Sequence, residues 1–504
     1  MRSKSIAVAI AVAACLAVPA VVQAHPFTIT NSAFSGELPQ IGLDSGLMAA
    51  GPSGYQGQSA PGDYETKRLQ FLSLSPRPVS NLARANSDIA FQGNRAYQGN
   101  FQGFRIIDIS APGNLREILA FEDCTGNGGQ GDVVVYGNIL TRSWDAPASA
   151  GQTCDGEPVP VGWEGLHVFD ISNPQNPDLV AQVRTRCGSH TASGVPDPAN
   201  NRLWIYNTPS YSPGNCPAEA PTPSNPSGPG AAGIQVVEIP LNAPQNAQAR
   251  QFEDSGPNIN CHDTGVILGD ILRAACAGGN GIAVWTMDPA EGGSLGNPKL
   301  EYIRDLRLTG VPDFKVGHSA AWSNDGETLI IGHEPDGGVR ARCQPTGTVF
   351  QDATANYQVQ TDDMKSLFFL DSDTGATRGK WTLTRDQTRF ENCTLHNYNV
   401  VPTDKGDWLV KGSYQSGISV LDFSDLSRVR EIGFADPAPL SETTTASGAV
   451  AVLGGDWSSH WYNGFIYQSD ISRGVASWRF NGGESFKAEK LDRLNPQTQT
   501  YTAD

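Results

Sequence analysis

A strand-and-turn pattern recurs along the chain and constrains the fold more than any other feature of the sequence. The clearest copies are apolar strands with Asp at the fifth position, at Phe104–Ser110, Leu166–Ser172 and Ile418–Ser424. Looser copies cover residues 233–239, 281–287, 366–371 and 474–480. Seven copies at this spacing are typical of a β-propeller rather than of a β-sandwich.

Each copy is the third of four strand-like runs. In the first unit the runs are 88–92, 95–99, 104–110 and 115–121, with Gly93-Asn94 as a hairpin turn. The later units open near Asp132, His190, His262, His318, His396 and His460. One unit cannot bury both faces of its own sheet, so the units must stack around a ring. We therefore predict an all-β, seven-bladed β-propeller with four-stranded antiparallel blades.

The segments outside the repeat set the expected domain limits. Residues 67–75 form an extra strand before the first unit, and we expect this strand to close the ring by joining the last blade. The propeller is then expected over residues 67–487, with a C-terminal tail at 488–504. Residues 25–66 are rich in Gly, Ser and Pro, which favours an extended segment.

The N-terminus has the order of a secretory signal. Arg2 and Lys4 precede an apolar run, and the run ends in the small-residue pattern Val22-Gln23-Ala24. This order predicts a signal peptide at residues 1–24 and a secreted or periplasmic protein. A lipid anchor at Cys15 is the alternative, since Val12-Ala13-Ala14-Cys15 resembles a lipoprotein processing box. No second apolar run is long enough for a transmembrane span.

The charge of the chain restricts its partners. The formal net charge is −17, and such an acidic surface disfavours nucleic acid as a partner. The expected partner is therefore a protein or a small-molecule ligand whose identity the sequence leaves open. We expect the protein to be a monomer.

Eight cysteines follow Cys15, and an even number in an exported protein predicts disulfides. Eight cysteines allow 105 pairings, and the expected blades favour pairing in sequence order. The expected pairs are Cys124 with Cys154, Cys187 with Cys216, Cys261 with Cys276, and Cys343 with Cys393. Zinc is the alternative where the spacing is Cys-x-x-His, at Cys187 and Cys393.

With these repeats in place, the chain resembles the LVIVD-repeat family of exported bacterial propellers over most of residues 67–485. Further stretches that support the resemblance are Cys187–Thr191, Gly317–Ala320, Asn392–Asn397 and Trp461–Tyr467. The resemblance implies the propeller fold. It implies no activity that could be assigned to particular residues.

Histidines recur at one position of the repeat, the start of the predicted first strand. They are His190, His262, His318, His396 and His460. First strands line the axis, so their starts should meet at one end of the central channel, here called the channel mouth. Other candidates for the channel mouth are His333, Glu334 and Asp336, in a loop after a second strand, and Asp88 and Asp132, which open the units that lack such a histidine.

Two interpretations of these histidines remain open. Imidazole clusters bind Zn, Cu, Fe or Ni, which favours a metal site. A polar residue at a strand start can also bond to the preceding loop, and a repeated sequence would then repeat this tether without any ligand.

Two functions follow. The leading hypothesis is an exported binding scaffold, because the fold signal is strong and no catalytic motif is present. The alternative is a Cu- or Zn-dependent oxidoreductase or hydrolase that uses the channel-mouth histidines. Copper-dependent oxidation would be similar to that of the selenium-binding-protein propellers, which the chain resembles in fold only.

Overall fold

The structure is a computed structural model that describes the chain from residue 64 to residue 503, with internal gaps. The gaps are 78–84, 126–128, 146, 210–232, 255–260, 270–271, 279–280, 288–300, 309–313, 315–316, 336–341, 352–356, 389–390, 439–443, 446–447, 450–453 and 483–486. The expected signal peptide and most of the expected N-terminal segment therefore lie outside the described residues.

Seven four-stranded antiparallel sheets form a ring, which confirms the predicted fold class. The first strands of blades 1 to 7 are Asn86–Gln92, Val133–Tyr136, Ala192–Asp197, Asp263–Leu268, Gly317–Trp322, Tyr398–Val400 and Asp456–Tyr462. The second strands are Arg95–Asn100, Ile139–Trp144, Arg202–Asn207, Leu272–Gly278, Thr328–His333, Trp408–Gly412 and Phe465–Asp470. First strands of neighbouring blades contact each other around the whole ring, including blade 7 with blade 1.

The outer half of each blade carries the repeat. The third strands are Gly103–Asp108, Gly165–Asp170, Gly233–Pro240, Gly281–Met287, Ser366–Asp371, Ile418–Asp422 and Gly474–Phe480. The fourth strands are Arg116–Phe121, Asp178–Arg184, Gln248–Asp254, Glu301–Arg307, Thr377–Thr382, Arg430–Pro437 and Leu69–Pro76. The Asp that ends the clearest copies accepts a hydrogen bond from the backbone N–H two residues later, as Asp108 does from Ser110 and Asp170 from Ser172.

Shorter elements decorate the ring. The short strands are Tyr64–Lys67, Thr153–Cys154, Glu157–Pro158, Val349–Gln351, Tyr357–Val359, Thr444–Thr445, Gly448–Ala449, Arg493–Leu494 and Thr498–Gln499. The described helices are single 3₁₀ turns at Pro198–Asn200, Pro244–Asn246, Asp362–Lys365 and Leu426–Arg428. None of these described helices has the length and apolarity that crossing a membrane would require.

The hydrophobic core lies between the blades. Phe104, Trp144 and Phe169 pack in one cluster between blades 1 and 2, and Trp461 and Trp478 pack in another between blades 6 and 7. The first strand of blade 1 is almost fully buried, whereas half of the side chains in its fourth strand are exposed. Because every blade buries both faces against its neighbours, the repeat is stable only as a ring.

The ring closes on a strand from the N-terminal side. Leu69–Pro76 pairs antiparallel with Gly474–Phe480 and becomes the fourth strand of blade 7. This strand occupies the place in which we expected residues 67–75. The preceding strand, Tyr64–Lys67, instead adds a fifth strand to blade 6 by pairing with Arg430–Pro437.

The C-terminal tail lies across the channel at the end opposite the channel mouth, which the sequence did not indicate. Arg493–Leu494 pairs with the end of the first strand of blade 1, and Thr498–Gln499 runs parallel to the end of the first strand of blade 4. Between them, Asn495 accepts a hydrogen bond from the backbone N–H of Val135 at 2.8 Å and donates to its carbonyl at 3.0 Å. The tail therefore spans the channel from blade 1 to blade 4.

Three of the predicted disulfides are confirmed: Cys124 with Cys154, Cys261 with Cys276, and Cys343 with Cys393. Cys187 is also disulfide-bonded, and its expected partner, Cys216, lies outside the described residues. Neither Cys187 nor Cys393 therefore offers the free thiolate that a zinc site would need.

Candidate metal site at the channel mouth

Four histidines from four successive blades meet at the channel mouth. His190, His262 and His396 lie just before the first strands of blades 3, 4 and 6, and His318 is the second residue of the first strand of blade 5. All four side chains are buried, with exposed fractions between 1% and 7%. The repeat therefore brings together residues that are far apart in the sequence.

The four imidazole rings form a continuous row. The ring centroids of His190 and His262 are 4.6 Å apart, those of His262 and His318 are 4.4 Å apart, and those of His318 and His396 are 4.2 Å apart. The Nε2 atoms of His190 and His262 are separated by only 2.9 Å. We call these residues, together with Glu334, the histidine cluster.

Glu334 adds a carboxylate to the row. It follows the second strand of blade 5, is fully buried, and lies with Oε2 at 3.8 Å from His318 Nε2 and Oε1 at 3.6 Å from His396 Nε2. The hydroxyl of Tyr414 donates a hydrogen bond to Glu334 Oε1. Ligand atoms of His262, His318 and Glu334 all lie within 4.8 Å of one another.

The Nδ1 atoms of three of these rings are held by groups outside the row. His190 Nδ1 lies 2.9 Å from Asp145 Oδ2, and His396 Nδ1 contacts the backbone carbonyl of Trp457. Both partners only accept hydrogen bonds, so Nδ1 must carry the hydrogen in each ring. The neutral ring then presents the lone pair of Nε2 to the interior of the cluster.

His318 is held in the same way through a hydroxyl. Its Nδ1 lies 2.7 Å from Ser319 Oγ, which in turn contacts Asp263 Oδ2 at 3.0 Å and Asn397 Oδ1 at 2.8 Å. Because the single hydroxyl hydrogen is directed to one of those two acceptors, the ring is the natural donor to Oγ. Metal-binding histidines commonly donate their second ring N–H to such an outer partner.

Burial favours the neutral forms of three cluster residues, His262, His396 and Glu334. It lowers the pKa of His262 well below the ordinary value, with the nearby imidazoles of His190 and His396 acting in the same direction. Burial also lowers the pKa of His396 to about 3. The pKa of Glu334 is raised well above its ordinary value by burial, against the hydrogen bond from Tyr414. Neutral imidazoles are the form that binds metal ions.

Backbone strain accompanies the cluster. Cys187, Ser319 and Tyr414 adopt positive φ angles of 57°, 54° and 45°. Left-handed backbone at non-glycine residues is costly and persists where the surrounding structure holds it, often at functional sites. Gly129, at φ 80°, makes room for Asp145, because a Cβ there would overlap the Asp145 carboxylate.

The other sequence candidates lie elsewhere. His460 is deeper in the channel, with Nε2 at 3.5 Å from Asp88 Oδ1. A parallel bridge between Asn397 and Ser458 aligns the position of His396 with Trp457 in blade 7. The prediction that His460 occupies the same position of the repeat as the other four histidines is therefore wrong. His333 is the last residue of a second strand and packs against Phe314, with ring centroids 4.6 Å apart.

None of the acidic candidates other than Glu334 is placed by the structure in the row of imidazoles. Asp88 and Asp132 line a cavity deeper in the channel rather than the row of imidazoles. Asp336 lies outside the described residues.

A second group of potential ligands does not form a site of this kind. Cys124, Cys154 and His167 approach one another within 4.8 Å, but the two cysteines form a disulfide. His167 stacks on Trp163 with ring centroids 4.7 Å apart, so it belongs to the core of blade 2.

Sequence reasoning missed the residues that support the cluster. Asp145 and Tyr414 lie between strands, where the repeat gives no pattern, whereas Ser319 and Trp457 lie in the first strands of blades 5 and 7. Ser319 had a signal of its own, since a polar residue follows the histidine in each of blades 3 to 6.

The fold and this site define an all-β, seven-bladed propeller with a polar cluster at one channel mouth. Residues 83–123 and 159–185 match the family model described as the LVIVD repeat. Two segments of this propeller thus match the LVIVD repeat, as the sequence resemblance implied. A comparison with curated proteins found no match.

Two solved structures are similar to this chain at low identity. A "putative 6-phosphogluconolactonase" from Bacteroides uniformis ATCC 8492 has 10% identity and a TM-score of 0.43, over 77% of this chain and 89% of that one. The Cps50 (Swd1) β-propeller domain of Myceliophteria thermophila has 11% identity and a TM-score of 0.42, over 81% and 98%. No function is transferred to this chain from likeness at this level.

Proposed function

We propose that this protein is an exported propeller that binds one transition-metal ion, Cu or Zn, in the histidine cluster. The observation that supports the proposal most strongly is the orientation of the rings. His190 and His396 are held at Nδ1 by acceptors outside the row, so their Nε2 lone pairs face the interior. Lone pairs buried together are costly unless a shared cation or proton lies between them.

The spacing of the donors fits this function. A metal with bonds near 2 Å places its ligand atoms roughly 3 to 4 Å apart. The separations of 2.9 Å between His190 and His262 Nε2, and of 3.6 to 3.8 Å between Glu334 and its two histidine neighbours, are close to this range. Imidazole and carboxylate donors suit Zn and Cu, as well as Fe and Ni.

Metal-dependent hydrolysis or oxidation is the second candidate function. A cavity on the scale of one water molecule adjoins the cluster, and His318 and His396 line it. A water molecule in this cavity would therefore lie beside the bound metal, where it could act as the reactant for hydrolysis. In the scaffold hypothesis, a partner would instead dock on the loops of the channel mouth. The bound ion would then have a structural role and no catalytic one.

The test is metal analysis of protein purified after growth with Cu, Zn, Fe and Ni. We expect one ion per chain, lost in a His318→Ala, His396→Ala double variant and retained in His333→Gln, a matched variant of a nearby histidine outside the cluster. Circular dichroism and thermal unfolding would verify that each variant folds. Folded wild-type protein that binds none of these ions would show instead that the histidines are structural tethers.

Export is tested separately. The disulfides support an extracytoplasmic location, because cytosolic thiols are kept reduced. Mass spectrometry of the mature N-terminus should give a chain that begins at His25. A lipid-modified Cys15 would support the anchored alternative, and an intact N-terminus in the cytosol would contradict export.

A further inference from the structure

A second polar site lies deeper in the channel than the histidine cluster. It is a cavity between the first strands and the C-terminal tail, lined by Ser87, Asp88, Gln130, Asp132, Thr191, His318, His396, Asn397, Trp457 and Gln497. Two of these groups are carboxylates, Asp88 from blade 1 and Asp132 from blade 2. No lysine or arginine is among the described residues that line the cavity.

Both carboxylates are fixed in place. Asp88 accepts hydrogen bonds from the backbone N–H of Ile89 at 2.8 Å and from Gln497 Nε2 at 2.7 Å. Asp132 accepts from the backbone N–H of Val133 at 3.0 Å and from that of Ala192 at 2.7 Å. Their exposed fractions are 2% and 4%, and both side chains line the same small cavity. Two buried carboxylates on one small cavity repel each other unless a cation or a shared proton lies with them. His460, with Nε2 at 3.5 Å from Asp88 Oδ1, adjoins only one of the two.

Two buried amides at the same cavity are incompletely bonded. Gln497 is 7% exposed, and its Oε1 has no hydrogen-bond partner. Gln130 is 3% exposed, and its Nε2 has no partner. Gln497 can offer Oε1 to a ligand while its Nε2 stays bonded to Asp88. A half-turn of the Gln130 amide exchanges its oxygen and nitrogen, so Gln130 can present oxygen as well. Buried polar atoms without a partner point to a ligand or an ordered solvent molecule at the site.

We propose that this cavity binds a calcium ion through Asp88, Asp132 and the amide oxygens of Gln497 and Gln130. Carboxylate and amide oxygens are the donors that hard cations prefer. The cavity is on the scale of one water molecule, which suits a single ion. Magnesium fits less well, because it retains several waters in a strict octahedron, whereas calcium accepts irregular sets of protein oxygens.

The ion would join three parts of the ring. Asp88 belongs to blade 1, Asp132 opens blade 2, and Gln497 belongs to the tail that crosses the channel. Calcium would therefore hold the tail in the channel and stabilise the closed ring. This proposal does not depend on a transition metal in the histidine cluster.

Thermal unfolding in calcium and in EGTA tests the proposal. We expect calcium to raise the unfolding temperature of the wild-type protein by several degrees, magnesium to raise it less, and the increase to be lost in Asp132→Asn. His262→Ala, which removes a member of the histidine cluster that does not line this cavity, should keep the increase, which separates this site from the proposed transition-metal site. Asp170→Asn, a change at an exposed strand end of blade 2, should also keep it.

Terbium luminescence gives a second measurement that does not depend on stability. Trp457 lines the cavity, so excitation of tryptophan should produce emission from bound Tb³⁺ that calcium displaces and that Asp132→Asn abolishes. The proposal is overturned if EGTA-treated wild-type protein binds neither ion. It is also overturned if Asp132→Asn responds to calcium like the wild type, or if Asp132→Asn is more stable and calcium has no effect, because the two carboxyls then share a proton.

Discussion

The Nε2 atoms of His190 and His262 face each other at 2.9 Å in a part of the channel mouth closed to solvent. Asp145 fixes the hydrogen of His190 on Nδ1, so the His190 Nε2 is an acceptor. Either His262 donates a hydrogen to it or a cation joins both atoms. A metal ion satisfies both rings at once and also uses the Glu334 carboxylate, which a single hydrogen bond cannot do.

Removing the carboxylate behind His190 should weaken metal binding without removing a ligand. We expect Asp145→Ala to lower the affinity for Zn or Cu by about 10- to 100-fold, because the ring loses the partner that orients it. Calorimetric titration of metal into the apoprotein measures the change. Asp170→Ala, at an exposed turn of the same blade, is the control and should bind like the wild type.

Tyr414→Phe should destabilise the fold around the cluster. The variant removes the hydroxyl that donates to the buried Glu334 carboxyl, and a buried polar group that loses its partner costs about 1 to 3 kcal/mol. Urea unfolding of the apoprotein should show a loss of this size. An unchanged or increased free energy of unfolding would mean that the hydrogen bond contributes nothing in solution.

Asp456 should make the stability of the fold depend on pH. Burial is the main cause that raises its pKa from 3.8 to about 8, with the nearby Asp470 acting in the same direction. The folded chain then holds a proton that the unfolded chain releases between these values, so stability falls as the pH rises from about 4 to about 8. The expected slope is at most about 1.4 kcal/mol per pH unit.

The Asp456→Asn variant isolates this contribution, because asparagine does not ionise. Urea unfolding at several pH values should show that the variant gains stability relative to the wild type as the pH rises. Asp404→Asn is the control, since this carboxylate is 61% exposed. Parallel pH profiles for wild type and Asp456→Asn would rule out the buried carboxyl as the source.

The C-terminal tail should contribute to global stability through Asn495. Its side chain pairs with both the N–H and the carbonyl of Val135, and both groups are buried in blade 2. We expect Asn495→Ala to lower the free energy of unfolding by about 1 to 3 kcal/mol, because these two backbone groups lose their partner. Lys490→Ala, at an exposed position of the tail, should change it little. Equal stabilities of the two variants would mean that the tail is not bound in solution.

The last disulfide is a prediction that a peptide map can check. Cys187 is disulfide-bonded, and sequence order pairs it with Cys216. Digestion without reductant should give a cross-linked peptide containing both residues. A different partner for Cys187 would show that pairing in sequence order fails in blade 3.

The repeat made much of the fold predictable from the sequence. Seven copies, four of which end in a turn-forming Asp, gave the number of blades. The expected first-unit runs fall within one or two residues of the observed strands. Three disulfides followed from blade order. The path of the tail could not be predicted in this way, because its contacts are single strand pairs and the side-chain bonds of Asn495 and Gln497.

The sequence predicted where the candidate site lies, but not how its side chains are arranged. Histidines at a repeated strand start indicated that several imidazoles meet at one mouth, and the structure brings four of them together. His460 follows the same spacing in the sequence, yet blade 7 is shifted in register, so Trp457 occupies the corresponding position. The partners at Asp145 and Tyr414 depend on loop conformations, including left-handed backbone at Tyr414, that no periodicity encodes.

A crystal structure of protein loaded with zinc or copper, with anomalous diffraction recorded on both sides of the metal absorption edge, tests the central claim most directly. We predict one strong anomalous peak about 2 Å from Nε2 atoms of the histidine cluster and within bonding distance of Glu334. Loaded crystals with no anomalous peak in the cluster, and with the four rings in the same row, would contradict it.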